Sequence, residues 1–305
     1  MNAQPLMLDV DTGIDDAAAI AFAIGAGADL VGITTVAGNC AIDQATDNTL
    51  RVLSHLGADT VPVFRGASRP LVASLHHAPY MHGDDGLGGA NLPPAEVEEQ
   101  DLTAPEAIVA MAEEFAGELV FVSVGPMTNL AIAMSLRPQI VDQIARVVIM
   151  GGAYFNPGNR TPYAEFNAYI DPDALDQVFQ AQWNEIYAVG LDVTHQVEIS
   201  PAIWNAIPKD AGGTAGLVRA VSKSAIEGAT RDGFYLHDPL AVGVGLDPSI
   251  VTAGNYSVRV ETAGERRGQT IVEEGGNVRV AKEVDATAFM RQFCDAVGIP
   301  YGNDA

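Results

Sequence analysis

Runs rich in apolar and β-branched residues alternate along this chain with longer helix-like stretches. The apolar runs fall at 5–10, 30–36, 61–64, 118–124, 145–149 and 186–190, and the helical stretches near 15–25, 41–55, 104–116, 172–181, 214–229 and 285–297. Strand-then-helix alternation predicts a parallel sheet covered by helices on both faces. ELVFVSV and ARVVIMGG are apolar almost throughout, as strands buried on both sides tend to be. Near the end, YSVRVET, GQTIVEE and NVRVAKEV read as short antiparallel additions. GAGAD at 25–29 follows a helical run and lacks the last glycine of a dinucleotide fingerprint, so it reads as a helix end. No repeat, low-complexity tract or Pro/Ser-rich linker divides the chain. The expectation is a single α/β domain over residues 1–305, built on an open, mostly parallel sheet.

Composition narrows the classes. Of 305 residues 48% are hydrophobic, which allows a sizeable core. There is no run of eighteen apolar residues, so no membrane-spanning helix is expected. The N-terminus has no basic start followed by an apolar segment, and no secretory leader is expected. Cys40 and Cys294 lie far apart and read as small buried hydrophobes, in keeping with a reducing, cytoplasmic location. Sixteen basic against 39 acidic residues give a net charge of −23, which repels DNA and RNA polymers but says little about small neutral ligands.

Candidate chemistry starts at DVDTGIDDAAAI, where Asp9, Asp11, Asp15 and Asp16 fall within eight residues at the carboxyl end of a predicted strand. Ligands bind at that edge of open α/β sheets. One or two of these acids suit helix capping, but four exceed what a cap needs. Like charges so close call for a cation among them, and oxygen ligands suit Ca²⁺ or Mg²⁺. An EF-hand loop from Asp9 is excluded because Ile14 and Ile20 stand where Gly and Glu would be required.

Further along, Gly125 and Pro126 end a strand at the same edge, where the Val124 carbonyl is a candidate cation ligand and a plain strand–helix turn is the alternative. Two long irregular stretches, 65–102 and 151–171, are candidate binding loops. The second gathers Met150, Asn159, Glu165, Phe166 and Asn167, amide, acid and apolar groups suited to the hydroxyls and face of a sugar; Asn159 in NPGN also suits a turn. His237 and Asp238 in YLHDPL read as a pocket acid beside a metal ligand, with a helix cap before Pro239 as the alternative. His82, in a Gly-rich loop, either reaches the same pocket or sits in solvent.

Together these segments resemble the inosine-uridine preferring nucleoside hydrolase family. DVDTGIDDAAAI, GITTVAGN, VGPMTNLA, VIMGGAY, GNRTPYAEFN, DPDA and HDP match its ordered motifs over most of the chain. The resemblance implies an open α/β fold with Ca²⁺ deep in the pocket, held by Asp11, Asp16, Asp238 and the Val124 carbonyl. It implies ribose binding by Asp15, Asn167, Glu165 and Asn159, with Asn39 near ribose and base, His82 at the pocket, and Met150 and Phe166 packed on the sugar. Asp11 is then the base that takes a proton from water, and His237 the acid at the leaving base; Asp9 orients its neighbours. A small nucleoside as substrate and a homodimer or homotetramer follow from the same resemblance. Thr12 departs from the proline many relatives carry, which affects turn stiffness more than ligation. Phe234, Tyr235 and Arg231 are candidates for base contacts, and base preference stays open. A hydrolase of modified nucleosides and a non-catalytic nucleoside- or ribose-binding protein are the competing readings; the presence of both Asp11 and His237 speaks against the latter.

Overall fold

A computed structural model describes residues 4–228 and 233–302 of the chain. In chain order the first half runs β1 (Pro5–Val10), α1 (Ile14–Gly25), β2 (Asp29–Thr35), α2 (Ile42–His55), β3 (Val63–Phe64), α3 (Pro79–His82), α4 (Ala104–Glu114), β4 (Val120–Ser123), α5 (Thr128–Leu136), α6 (Ile140–Gln143) and β5 (Arg146–Met150). The second runs α7 (Phe166–Ile170), α8 (Pro172–Gln180), β6 (Ile186–Val189), α9 (Leu191–Thr194), β7 (Glu198–Ile199), α10 (Pro201–Ala206), α11 (Gly213–Glu227), β8 (Phe234–Tyr235) and α12 (His237–Leu246). After a short 3-10 turn come β9 (Val251–Val260), β10 (Thr270–Glu274), β11 (Val278–Val284) and α13 (Ala286–Val297).

Nine strands form one sheet in the order β10-β9-β11-β6-β5-β4-β1-β2-β3. The pairings from β3 across to β6, and on to β11, are parallel, whereas β9 pairs antiparallel with both β10 and β11. The expected antiparallel additions are therefore an extension of the main sheet, and β9 begins five residues before the segment the sequence suggested. β7 and β8 form a separate two-stranded ladder.

Each face of the sheet carries its own core. Leu6, Leu8 and Val10 enter one, with α1, α11, α12 and α13; Met7 enters the other, with α4, α5 and α8. The period of two along β1 follows from the pleat. α1 is buried along nearly its whole length, and its run of alanines lets α11 and α12 pack close against it. That seating fixes the start of α1, and hence its acids, at the carboxyl ends of β1 and β4.

Candidate active site

The carboxyl ends of β1, β4 and β5, the start of α1, the 151–167 loop and the start of α12 enclose one cavity of about 340 Å³. Asp15, Asn39, His82, Val124, Met150, Asn159, Glu165, Phe166, Asn167, His237 and Asp238 all line it. Asp11 and Asp16 are fully buried directly behind Asn39. Phe234 and Tyr235 also line the cavity, while Arg231 lies outside the described residues.

The floor is acidic. Asp15, Asp16 and Asp238 bring carboxylate oxygens within 4.8 Å of one another. Asp11 stands close enough for the charges of Asp16 and Asp15 to act on its carboxyl. Asp16 also serves the cap that the sequence left as an alternative. Its Oδ2 accepts the Gly13 amide at 2.9 Å and its Oδ1 the Asp11 amide at 3.0 Å, so one side chain holds both the helix start and the turn before it. Asp11 Oδ2 accepts the Asn39 amide at 2.6 Å, and Gly38 lies so close that a Cβ there would stand 2.1 Å from this oxygen. By contrast, Asp11 Oδ1 and Asp15 Oδ1 are buried without any hydrogen-bond partner.

Burial above all, then the neighbouring negative charges, drives the Asp11 and Asp238 carboxyls well above the usual range. Burial pushes Asp15 and Asp16 up to about 6. Buried acids that crowd together with orphaned oxygens form a site that a hard divalent cation fits, because such ions take oxygen ligands and remove the repulsion.

Asp9 is separate from this floor. It shares the Met7 face of β1, where Thr34, Ser123 and Asn129 donate to its carboxylate at 2.7, 3.1 and 2.7 Å. Burial still pushes its carboxyl up to about 6. Its bonds tie β2, β4 and α5 to β1. The departure at Thr12 has a use as well: its hydroxyl hydrogen-bonds Thr49 of α2 at 2.6 Å.

The Val124 carbonyl is not left free as the sequence suggested. It accepts the Asn167 amide at 2.7 Å, and the same Nδ2 reaches the Met150 carbonyl at 3.2 Å. A carbonyl oxygen has a second lone pair, so the bond does not bar ligation. Glu165 caps α7 by accepting the amides of Gly152, Asn167 and Ala168, all at 2.9 to 3.0 Å. Asn159 Oδ1 accepts the Phe166 amide at 3.0 Å, so the turn-forming alternative is also realised. These bonds tie the 151–167 loop together from within.

His82 belongs to the pocket and not to solvent. It is buried, and its Nδ1 accepts the Ile14 amide at 3.1 Å at the N-terminus of α1. Burial lowers its pKa to about 4, which keeps the ring neutral with Nε2 as its N–H donor. On the opposite side, His237 Nδ1 hydrogen-bonds Thr194 Oγ1 at 2.7 Å. The rings of His195, Tyr235 and His237 lie 4.9 to 5.6 Å apart by centroid and make an aromatic wall. Thr194, His195, Tyr80, Met81 and Arg160 are pocket or wall residues that the sequence gave no reason to single out. The one available signal was position, since LDVTH follows the 186–190 strand and strand ends at this edge feed the crevice.

The sequence pattern of the inosine-uridine preferring nucleoside hydrolases matches residues 6–291. The non-specific ribonucleoside hydrolase RihC of Salmonella enteritidis is 37% identical over 295 residues, 93% of this chain and 94% of the relative. The pyrimidine-specific ribonucleoside hydrolase RihA of Shewanella woodyi is 35% identical, over 94% of this chain and 96% of the relative. Among solved structures, the plant nucleoside hydrolase PpNRh1 superposes with a TM-score of 0.92 at 31% identity, covering 98% of this chain and all of that one. With sequence, topology and acidic crevice in agreement, the chain belongs to the inosine-uridine preferring nucleoside hydrolase family, enzymes that hydrolyse the N-glycosidic bond of ribonucleosides.

Proposed function

We propose that this chain is a Ca²⁺-dependent ribonucleoside hydrolase with one catalytic domain over residues 1–305, in which Asp11 is the general base and His237 the acid at the leaving base. The observation that carries the reading is the pair of buried, unpartnered oxygens on Asp11 and Asp15 within a knot of acids. Asp11, Asp16, Asp238 and the Val124 carbonyl would hold the cation, with Asp15 beside them. When bound, the ion supplies positive charge at the sugar and lowers the pKa of a water towards neutrality.

The chain's own groups do the rest. Asp15, Asn159, Glu165 and Asn167 bind the ribose hydroxyls, Asn39 lies at the junction of sugar and base, and Met150 and Phe166 cover the sugar face. Asp11 accepts the proton of the attacking water and aims it at C1′. Positive charge that builds on the ribose ring meets the carboxylates of the floor, which favours an oxocarbenium-like transition state. His237 gives its proton to the departing base, with its ring held by Thr194 at Nδ1. His82 stays neutral and donates from Nε2 into the pocket.

The substrate is a small nucleoside and not a nucleic acid polymer. Relatives of nearly equal identity are named pyrimidine-specific and non-specific, so base preference is left to experiment. A cytoplasmic homodimer or homotetramer completes the proposal; no described helix is long and apolar enough to cross a membrane. The test is ribose release from inosine, uridine, cytidine, adenosine and guanosine, with and without prolonged EDTA treatment. Turnover that vanishes with chelation and returns with Ca²⁺ is expected. Turnover indifferent to chelation refutes the metal, and no turnover by the calcium-loaded protein refutes the hydrolase.

A further inference from the structure

His237 opens α12, and the residues just before it are tied by their backbone to the segment that follows α9. The Leu236 amide donates to the Val197 carbonyl at 3.0 Å, and Phe234 and Tyr235 pair with Ile199 and Glu198 in the β7–β8 ladder. The imidazole is held from the same side. Thr194, the last residue of α9, is fully buried, with its Oγ1 2.7 Å from His237 Nδ1. α9 is itself pinned. Asp192 accepts the amides of Tyr154, Phe155 and Asn156 at 2.9, 2.8 and 3.0 Å, and the Leu191 amide donates to the Gly152 carbonyl at 3.0 Å. The turn into α9 is equally tight, since a Cβ on Gly190 would stand 2.7 Å from the Tyr154 ring. The hydroxyl beside His237 therefore sits on a short element fixed at once to the 151–167 loop and to the ladder before α12.

Among the described residues, His237 Nδ1 is the one hydrogen-bond partner of the Thr194 hydroxyl. A buried hydroxyl with a single partner satisfies its own proton only by donating it. To a neutral imidazole it donates at Nδ1, which leaves the ring N–H at Nε2. A charged imidazole has an N–H at both nitrogens, and the hydroxyl then turns to accept from Nδ1. In either state Nε2 carries a proton. The other neutral ring, with its N–H at Nδ1 and a bare Nε2, leaves the buried hydroxyl proton unmet and is disfavoured. With Nδ1 turned to Thr194 and the ring lining the cavity, Nε2 is the nitrogen on the pocket side.

We propose that Thr194 is the positioning residue of the leaving-group acid: it holds the His237 ring so that Nε2 carries the N–H and presents it to the departing base. The proposal rests on the reading of His237 as that acid and adds the group that keeps the proton on the correct nitrogen. The step itself is unchanged: the Nε2–H bond breaks, its proton goes to a ring nitrogen of the base, and the base leaves with the N-glycosidic electron pair. Thr194 touches neither sugar nor cation in this step. Its influence is confined to substrates whose leaving group needs a proton.

The experiment is steady-state kinetics of the intact, calcium-supplemented protein on inosine, uridine and p-nitrophenyl riboside. The variants are Thr194→Val, which keeps the shape and removes the hydroxyl, Thr194→Ser, which keeps the hydroxyl, His237→Ala, and the Thr194→Val/His237→Ala double variant. In Thr194→Val the loss of kcat on inosine and uridine should exceed the loss on p-nitrophenyl riboside by at least about tenfold, with KM on the nucleosides within about twofold of the wild type. Thr194→Ser should recover most of that loss. The double variant should lose no more than His237→Ala alone, because both changes disable one group. Equal losses of Thr194→Val on both kinds of substrate, no recovery in Thr194→Ser, or a double variant that multiplies the two single losses each overturns the positioning role. His237→Ala judges the parent reading separately. A selective loss there with none in Thr194→Val keeps the acid and removes only its holder, whereas equal losses in His237→Ala, or no turnover by the wild type, remove both.

Discussion

Asp11 is held by groups that leave it one orphaned oxygen, and its assignment as base is testable without disturbing the fold. Asparagine keeps its shape and still accepts the Asn39 amide, so Asp11→Asn is expected to melt within a few degrees of the wild type. General base catalysis contributes about 10²–10⁴-fold, and turnover on inosine or uridine should fall by that order. Retained activity removes Asp11 from the role. His237→Ala makes a different prediction, because a proton donor matters only where the leaving group needs a proton. Loss on natural nucleosides should exceed loss on p-nitrophenyl riboside by at least about tenfold, within the same general-acid range. Equal losses would assign His237 to binding. The acids were legible in the sequence because capping does not account for four of them in eight residues. Thr194 was not, since a hydroxyl 43 positions from His237 declares nothing until the fold brings it to 2.7 Å.

At the scale of elements, the turn from β1 into α1 depends on space. Gly13 has an ordinary negative φ of −104°, so its need for glycine is not conformational. A Cβ there would stand 2.2 Å from His82 Nδ1. Gly13→Ala therefore has to push α3 and its histidine off the N-terminus of α1. A cost of about 1–3 kcal/mol is the usual scale for such overpacking. The expected readouts are a lower Tm and a raised KM, because His82 lines the pocket; an unchanged KM would mean that the α3 segment yields without consequence. The long elements were predictable. Strands buried on both faces are continuous apolar runs, and helices of three turns carry a readable period. Four- and five-residue helices such as α3, α7 and α9 are too short to carry one, and each exists because of its caps and neighbours. The nine-residue α5 and the ten-residue α12 were missed for another reason: both are nearly uniformly apolar beyond their first turn, so neither shows a polar face.

For the whole molecule, the acidic floor acts as a charge load that the fold must carry. Asp9, Asp15 and Asp16 stay protonated in the folded state up to about 6, and burial raises the Asp11 and Asp238 carboxyls well above the usual range too, whereas an unfolded aspartate releases its proton near 3.8. Each raised carboxyl contributes stability that is full below the unfolded value and is lost as pH rises through the folded one. His82 runs the other way, since its lowered pKa of about 4 costs stability as pH falls from 6.5. Five carboxyls outweigh one imidazole. The Tm of metal-depleted protein should fall as pH rises from 5 to 7.5, by roughly 2 °C for each kcal/mol at this size, and Ca²⁺ should abolish the slope. A flat or rising profile without metal would mean that the cluster is relaxed on its own.

The acids of that floor come from distant parts of the chain, Asp11, Asp15 and Asp16 at the start and Asp238 on α12, which packs directly against α1. During synthesis the first three emerge more than two hundred residues before their partner. Until α12 docks they are a solvated, weakly binding string of aspartates. On the proposed reading the cation site is thus an attribute of the finished fold, and acquisition of the ion is a late event that locks α1 to α12 once assembly is done.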